Sequence, residues 1–371
     1  MKDIAIIGGG LAGLINAIQL ALAGLRVTLI EKKQYPYHKV CGEYISNEVT
    51  PFLKSIDAFP NGVEIAHLSR FLLTTTSGKS AELKLELGGF GISRYQLDAF
   101  LAEKAKEVGV EMILSTAVTR VEFEADAFLL TLNQGAPVAA RLAIGSYGKR
   151  SKLDKLWQRS FMTKRSPYLG VKYHAKLSLD PDLIALHIFP GGYCGVSHIE
   201  EGKVNICYLS HRENLKRSGD IKTMEKEVLQ KNPYLREIFE QAQFLFDKPE
   251  VINEISFAPK KAVENHILMS GDAAGLITPL CGNGMAMAIH SAKILSETIL
   301  RHYKSGNLQR SALEKEYQKQ WKSLFAKRLQ AGRWIQKLFD QPGSVQLLMM
   351  IATHWPGLAQ TLVRQTHGKP F

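Results

Sequence analysis

The first thirty-one residues leave this chain little freedom. Ile4, Ile6 and Ile7 form a short apolar run that ends directly in Gly8-Gly9-Gly10-Leu11-Ala12-Gly13. Leu14, Ile18 and Leu22 then recur at helical spacing, Gly24 closes that segment, and residues 26–30 are again strand-like. The pattern predicts strand, tight turn, helix and second strand. Each glycine has its own task. Gly8 permits the turn, Gly10 lets the backbone approach a pyrophosphate, and Gly13 lets the helix pack against the sheet. The first N–H groups of such a helix lack partners and favour an anion. Glu31 ends the second strand, placed to accept from a ribose 2′-hydroxyl and to disfavour a 2′-phosphate. These residues specify a dinucleotide, with Leu11, Ala12 and Lys32 beside it, and do not separate FAD from NAD.

With 371 residues, 45% of them apolar, the chain can build a sizeable core. Cys41, Cys194, Cys207 and Cys281 are widely spaced, and neither they nor the scattered histidines show metal-ligand spacing. No metal is expected, and the cysteines suit a reducing compartment. No run of eighteen apolar residues occurs, so no membrane span is expected. With no leader ahead of the first strand, the expected location is cytoplasmic, or peripheral to the inner face of a membrane. The net charge of +12 is uneven: residues 301–371 hold twelve Lys or Arg against three Asp or Glu. That excess suits an anionic membrane or an acidic carrier protein. Nucleic acid is not expected, because no recognised nucleic-acid module accompanies the charge.

Further on, strand-like runs near 69–76 and 81–87 are broken by Gly88-Gly89-Phe90-Gly91. A helix is predicted over 95–107, hairpin strands over 117–144 and mostly extended chain over 168–210. Helices follow over 222–230 and 233–239, then strands over 251–257 and 267–270. A long helix starts near Gly284, and further helical stretches cover 312–339 and 345–362. The strand ending at Ser270 runs into Gly271-Asp272, and an acid there is costly to bury without partners. A flavin's ribityl hydroxyls are suitable donors to it. Gly282, Asn283, Gly284 and Met285 then open a helix whose N–H groups can face the isoalloxazine ring.

These motifs resemble the FAD-dependent group containing the para-hydroxybenzoate hydroxylase-like monooxygenases and the geranylgeranyl reductases. The resemblance covers residues 3–304. It implies an α/β fold: a Rossmann-like FAD/NAD(P)-binding domain of the glutathione-reductase type, an inserted, mainly antiparallel substrate sheet, and a helical carboxy-terminal region. The expected division gives residues 1–65, 91–165 and 258–304 to FAD, 66–90 and 166–257 to the substrate domain, and 305–371 to basic helices. The resemblance also implies that Arg94 contacts the cofactor, that the backbone of Val118 meets adenine, that Asp272 holds the ribityl chain and that 282–285 lie near the flavin ring. Where the family usually carries Ala-Asp-Gly followed by Ser, this chain reads Gly145-Ser146-Tyr147-Gly148-Lys149-Arg150-Ser151. Tyr147 replaces the acid tied to nicotinamide use. NADPH or NADH is therefore expected only as a transient donor, and a separate reductase or ferredoxin is an alternative.

Cys41-Gly42-Glu43 and Phe189-Pro190-Gly191-Gly192-Tyr193 resemble elements of the isoprenoid reductase branch. The expected reaction is reduction of a carbon–carbon double bond in a hydrophobic lipid or polyketide-like substrate, free or carrier-bound, by hydride from flavin N5. Cys41, Glu43, Tyr44 and Tyr193 are the candidates to supply the matching proton, and Cys41 also stands beside the cofactor. The alternative is a monooxygenase hydroxylating or epoxidising an aromatic or polyketide substrate through a C4a-peroxyflavin. A third reading is a non-catalytic redox flavoprotein. In the carboxy-terminal region, Trp321, Phe325, Trp334 and Leu338 alternate with basic residues, and 347–351 add an apolar patch.

Overall fold

The computed structural model describes the whole chain apart from residues 164–165, 254, 304–307, 340–342, 356, 358–359 and 362–366. Strand Lys2–Ile7 lies inside the first sheet. It runs parallel to Val27–Ile30 on one side, with Ile4 opposite Val27, and to Val138–Gly145 on the other, with Ile4 opposite Leu142. Glu111–Ile113 and Ile267–Met269 extend this parallel set. A hairpin of Val118–Glu124 and Ala127–Leu132 joins it through Val138–Gly145. Parallel strands need cover on both faces, which is why Val27–Ile30 is buried at every position. Helix Leu11–Leu22 packs against Arg94–Glu107 and Gly284–Tyr303. It is buried almost all round, whereas Leu22, expected on its packed stripe, is exposed.

The second sheet has nine strands. Their order is Gln243–Phe244, Tyr168–Lys176, Val204–His211, Gly192–His198, Leu183–Phe189, Ala66–Thr74, Ser80–Gly91 and Tyr44–Ser46, and Glu250–Asn253 also pairs with Tyr168–Lys176. All pairs are antiparallel except Leu183–Phe189 with Ala66–Thr74. Alternation divides Tyr168–Lys176 between two faces. Leu169, Val171, Tyr173 and Ala175 pack in one core with Met224, Leu235 and Ile238 of helices Ile221–Glu227 and Pro233–Gln241. Gly170, Lys172 and His174 fall on the other face.

The run 88–91 does not break its strand, contrary to expectation. Ser80–Gly91 continues through it and pairs with Tyr44–Ser46. The glycines serve close approach instead. A Cβ on Gly89 would stand 2.4 Å from the Tyr44 ring, and one on Gly91 would stand 1.9 Å from the His198 carbonyl oxygen. Helix Arg212–Ser218 was not foreseen. Near the carboxy terminus, helix Arg310–Phe339 buries Leu313, Tyr317, Trp321 and Phe325, and Ser344–His354 follows. The rest of the helix expected over 345–362, and the side chains of residues 347 and 348, fall partly outside the described residues. No helix among the described residues is long and apolar enough to cross a membrane.

Candidate functional site

A cavity of about 680 Å³ runs between the two sheets, bordered by residues from both and from the carboxy-terminal helices. At one end lies the glycine turn. Gly8 has φ +101°, and a Cβ there would meet the Tyr147 Cα at 2.6 Å. A Cβ on Gly13 would stand 2.0 Å from the Gly8 carbonyl oxygen. Both glycines therefore work behind the cavity wall, which Gly10, Leu11 and Ala12 form. Gly10 caps the helix without a side-chain bond, and its first turn carries no acid, so its N–H groups face the cavity without competition from a carboxylate. Two cations stand over this turn. From a Cβ built on Gly10, Arg94 Nη2 is 3.6 Å away and Lys39 Nζ 3.7 Å away. Buried Asp98 aims both: it accepts from Arg94 Nε and Nη2 at 2.7 Å and from Lys39 Nζ at 2.8 Å. Burial alone would raise the Asp98 carboxyl, but the two cations hold it below the ordinary range.

Glu31 lines the cavity with Lys32. One Glu31 oxygen accepts from the Gly9 N–H at 2.7 Å and the other from the Lys33 N–H at 3.1 Å. A carboxylate has about four acceptor positions, so room remains for a ribose hydroxyl. Asp272 also lines the cavity, and no group among the described residues donates to its carboxyl. Burial pushes this carboxyl up, against the pull of Lys149, Lys260 and Arg94. Lys260 joins two loops by donating to the Lys149 and Asp272 carbonyls at 2.8 and 2.7 Å. Gly282 takes φ +63° with Tyr44 close beneath it, and Gly284 and Met285 reach the cavity. Asn283 lies behind it, donating to Glu48 at 3.4 Å, and Val118 stands in the hairpin outside the wall. An open helix N-terminus, two aimed cations and an acid without a donor together fit FAD: a pyrophosphate at the turn and ribityl hydroxyls at Asp272.

The segment 39–43 lies between the cofactor end and the second sheet. Glu43 and Lys172 are each 0% exposed and form an ion pair at 2.5 Å. His174 Nε2 contacts the other Glu43 oxygen at 2.7 Å, and the Arg94 N–H donates to Glu43 at 2.8 Å. Lys172 also donates to the Lys39 carbonyl at 3.2 Å. Asn205, directly across from His174, donates to the carbonyls of Cys41 at 3.2 Å and Gly42 at 2.9 Å. Glu43, a candidate proton donor, is held here by three partners. Burial alone would raise its carboxyl, but His174 and Lys172 hold it below the ordinary range. Tyr44 donates to the Gly88 carbonyl at 3.3 Å. Cys41 and Tyr193 both face the cavity, and burial pushes each upward, so each keeps its proton near neutral pH. The Tyr193 hydroxyl donates to Gln336 at 3.5 Å.

Tyr147 lines the cavity, and its hydroxyl is engaged by other side chains. Its hydroxyl donates to Asp154 at 2.9 Å, and Arg159 bridges to Asp154 at 2.9 Å and to the tyrosine oxygen at 3.3 Å. The far arm of the cavity is apolar. Phe71, Leu73, Leu83 and Leu186 of the second sheet face Trp334 and Leu338 of helix Arg310–Phe339. Sequence reasoning did not single out Lys39, Lys172, His174 or Asn205. A faint signal existed: Lys172 and His174 interrupt an otherwise apolar strand at period two. Lys149, in the run 145–151, lines the cavity, and burial lowers its ammonium despite nearby Asp272.

A family profile described as FAD binding domain matches residues 1–320. A digeranylgeranylglycerophospholipid reductase of Methanosarcina acetivorans is 28% identical over 340 residues, which is 86% of this chain and 80% of that protein. A geranylgeranyl bacteriochlorophyll reductase-like structure from Thermoplasma acidophilum superposes with TM-score 0.81 at 19% identity, covering 100% of this chain and 96% of that one. The halogenase PltM, solved with phloroglucinol and FAD, gives 0.75 at 18% identity, covering 100% and 87%. These two structural likenesses bear on the fold.

Proposed function

Because this chain belongs to the FAD binding domain family, an FAD-dependent oxidoreductase group, we propose that it reduces carbon–carbon double bonds in an isoprenoid-like lipid chain. The observation that carries this reading is the single cavity that joins the dinucleotide cradle to an apolar arm. Bound FAD supplies the two-electron chemistry. The protein contributes binding, orientation and a proton. Gly10, Arg94 and Lys39 receive the pyrophosphate, and Asp272 receives the ribityl chain. Phe71, Leu73, Leu83, Leu186 and Leu338 exclude water and hold a hydrocarbon chain by burial. Of the candidate donors, Cys41, Tyr44 and Tyr193 line the cavity with their protonated forms favoured by burial, and such a thiol or phenol can protonate the second alkene carbon. The 28% identical reductase supports the substrate class. Tyr147, committed to Asp154 and Arg159, leaves no carboxylate at the position tied to nicotinamide use. That favours a protein donor such as a ferredoxin over tightly bound NADPH.

The test is anaerobic. The protein is reduced chemically and mixed with a geranylgeranyl lipid, and flavin absorbance is followed with product mass. The expected result is oxygen-independent reoxidation and a product heavier by two hydrogens per turnover. A product that gains oxygen, formed only when air is admitted, would replace this reading with the monooxygenase one.

A further inference from the structure

The outer side of helix Arg310–Phe339 serves neither the core nor the cofactor. Its inner side buries Leu313, Tyr317, Trp321 and Phe325. Lys319, Lys327, Trp334 and Lys337 are separated by eight, seven and three residues, which places them on one stripe of the opposite side. All four are exposed, and the three lysines make no ion pair among the described residues. The acids of this helix, Glu314 and Glu316, sit near its start and are already paired with His266 and with Arg301 and His302. Beyond Glu316 the sequence holds one acid, Asp340, against eight Lys or Arg.

Trp334 has a double position: it is 58% exposed and also lines the cavity. It therefore stands at the mouth of the apolar arm. Ile351 of the next helix also reaches the cavity, while its neighbour Met350 is 43% exposed and Trp355, one turn on, is 53% exposed. Trp334, Met350 and Trp355 add large exposed apolar side chains to the same carboxy-terminal region as the unpaired lysines. Charge alone would also attract an acidic protein. The bulky apolar rim around a hydrocarbon-lined opening matches a lipid phase instead, with indole rings at head-group depth and lysines reaching to the phosphates.

We propose that the face formed by Lys319, Lys327, Trp334, Lys337, Met350 and Trp355 rests on an anionic lipid surface, so that a hydrophobic substrate enters the cavity from the bilayer without crossing water. The inference concerns where the substrate is met and does not require the reaction to be a reduction.

The FAD-loaded full chain is sedimented with vesicles of phosphatidylcholine alone and of phosphatidylcholine mixed with phosphatidylglycerol. Binding is expected to the mixed vesicles and to fall as salt rises. The triple variant K319E/K327E/K337E should bind on the order of a hundredfold more weakly, from the loss of three lysine contacts. Its flavin content should be unchanged, which shows that it folds. Replacing Met350 and Trp355 by Ser should weaken the binding that survives in high salt. Equal sedimentation of the triple variant, no binding at low salt, or capture by an acidic acyl carrier protein with none by vesicles would overturn the proposal. Vesicle binding is read without turnover, so its outcome is separate from that of the anaerobic reduction.

Discussion

The glycine turn at 8–13 and the segment at 39–43 border the same cavity but are held in different ways. The turn is shaped by its own backbone: Gly8 at positive φ, Gly13 against the Gly8 carbonyl, and Glu31 bonded back to the Gly9 N–H. Its donors are left open for a ligand. The segment is held by side chains from the second sheet, Lys172, His174 and Asn205, whose partners lie about 130 to 164 positions earlier in the chain. Its polar groups are mostly satisfied within the protein. One region is preformed to receive charge; the other uses buried charge to fix where Cys41 stands. A buried ion pair such as Glu43–Lys172 adds little net stability over apolar packing, but it is costly to break, which suits a positioning device.

The largest expected effect falls on the turn. Gly13→Val places its Cβ against the Gly8 carbonyl, and the purified protein should carry no flavin, as read from its visible absorbance. If it retains FAD, the turn is not the rigid partner in the comparison.

Next comes the segment. Lys172→Met leaves Glu43 buried without its lysine and should lower unfolding stability by about 3–5 kcal/mol in urea titrations. Because the Glu43 carboxyl is held below its ordinary value, its stabilising contribution is present above the unfolded carboxylate range and is lost as pH falls through the folded value. The variant should therefore begin to melt at a higher pH on the acid side. An unchanged acid limb would show that Glu43 is not held by this pair.

The smallest effect is expected at the open acid. Asp272→Ala should weaken FAD binding by about 1–3 kcal/mol, measured by apoprotein titration, because the ribityl hydroxyls lose an acceptor. The melting temperature of the apoprotein should hold or rise, since burial already disfavours this carboxylate. A fall in apoprotein stability would move Asp272 from the ligand-facing group to the self-satisfied one.

The same contrast explains what could be read early. Strand Lys2–Ile7, helix Leu11–Leu22 and Val27–Ile30 follow from periodicity and glycine spacing, because the conformation of the turn is set by neighbouring residues even though Ser146 and Tyr147 also pack against it. Gly271-Asp272 and helix Gly284–Tyr303 were legible for the same reason. The run 88–91 misled because glycine signals a break in isolation, whereas here it admits a crossing backbone and the Tyr44 ring. Glu43 was legible only in part. Its chemistry depends on Lys172 and His174, and nothing near residue 43 shows that they face it. Tyr147 announced a departure from the family pattern, but only the fold shows that its hydroxyl is spent on Asp154.

By itself, then, the sequence determined the dinucleotide grip and the FAD-type motifs, since these are built from short-range geometry that neighbouring residues must satisfy together. The tertiary structure decided the partners of each buried charge and the closing of the apolar arm by helix Arg310–Phe339. Those depend on long-range pairing, where burial removes water and leaves each ionised group to whichever partner the fold brings within reach.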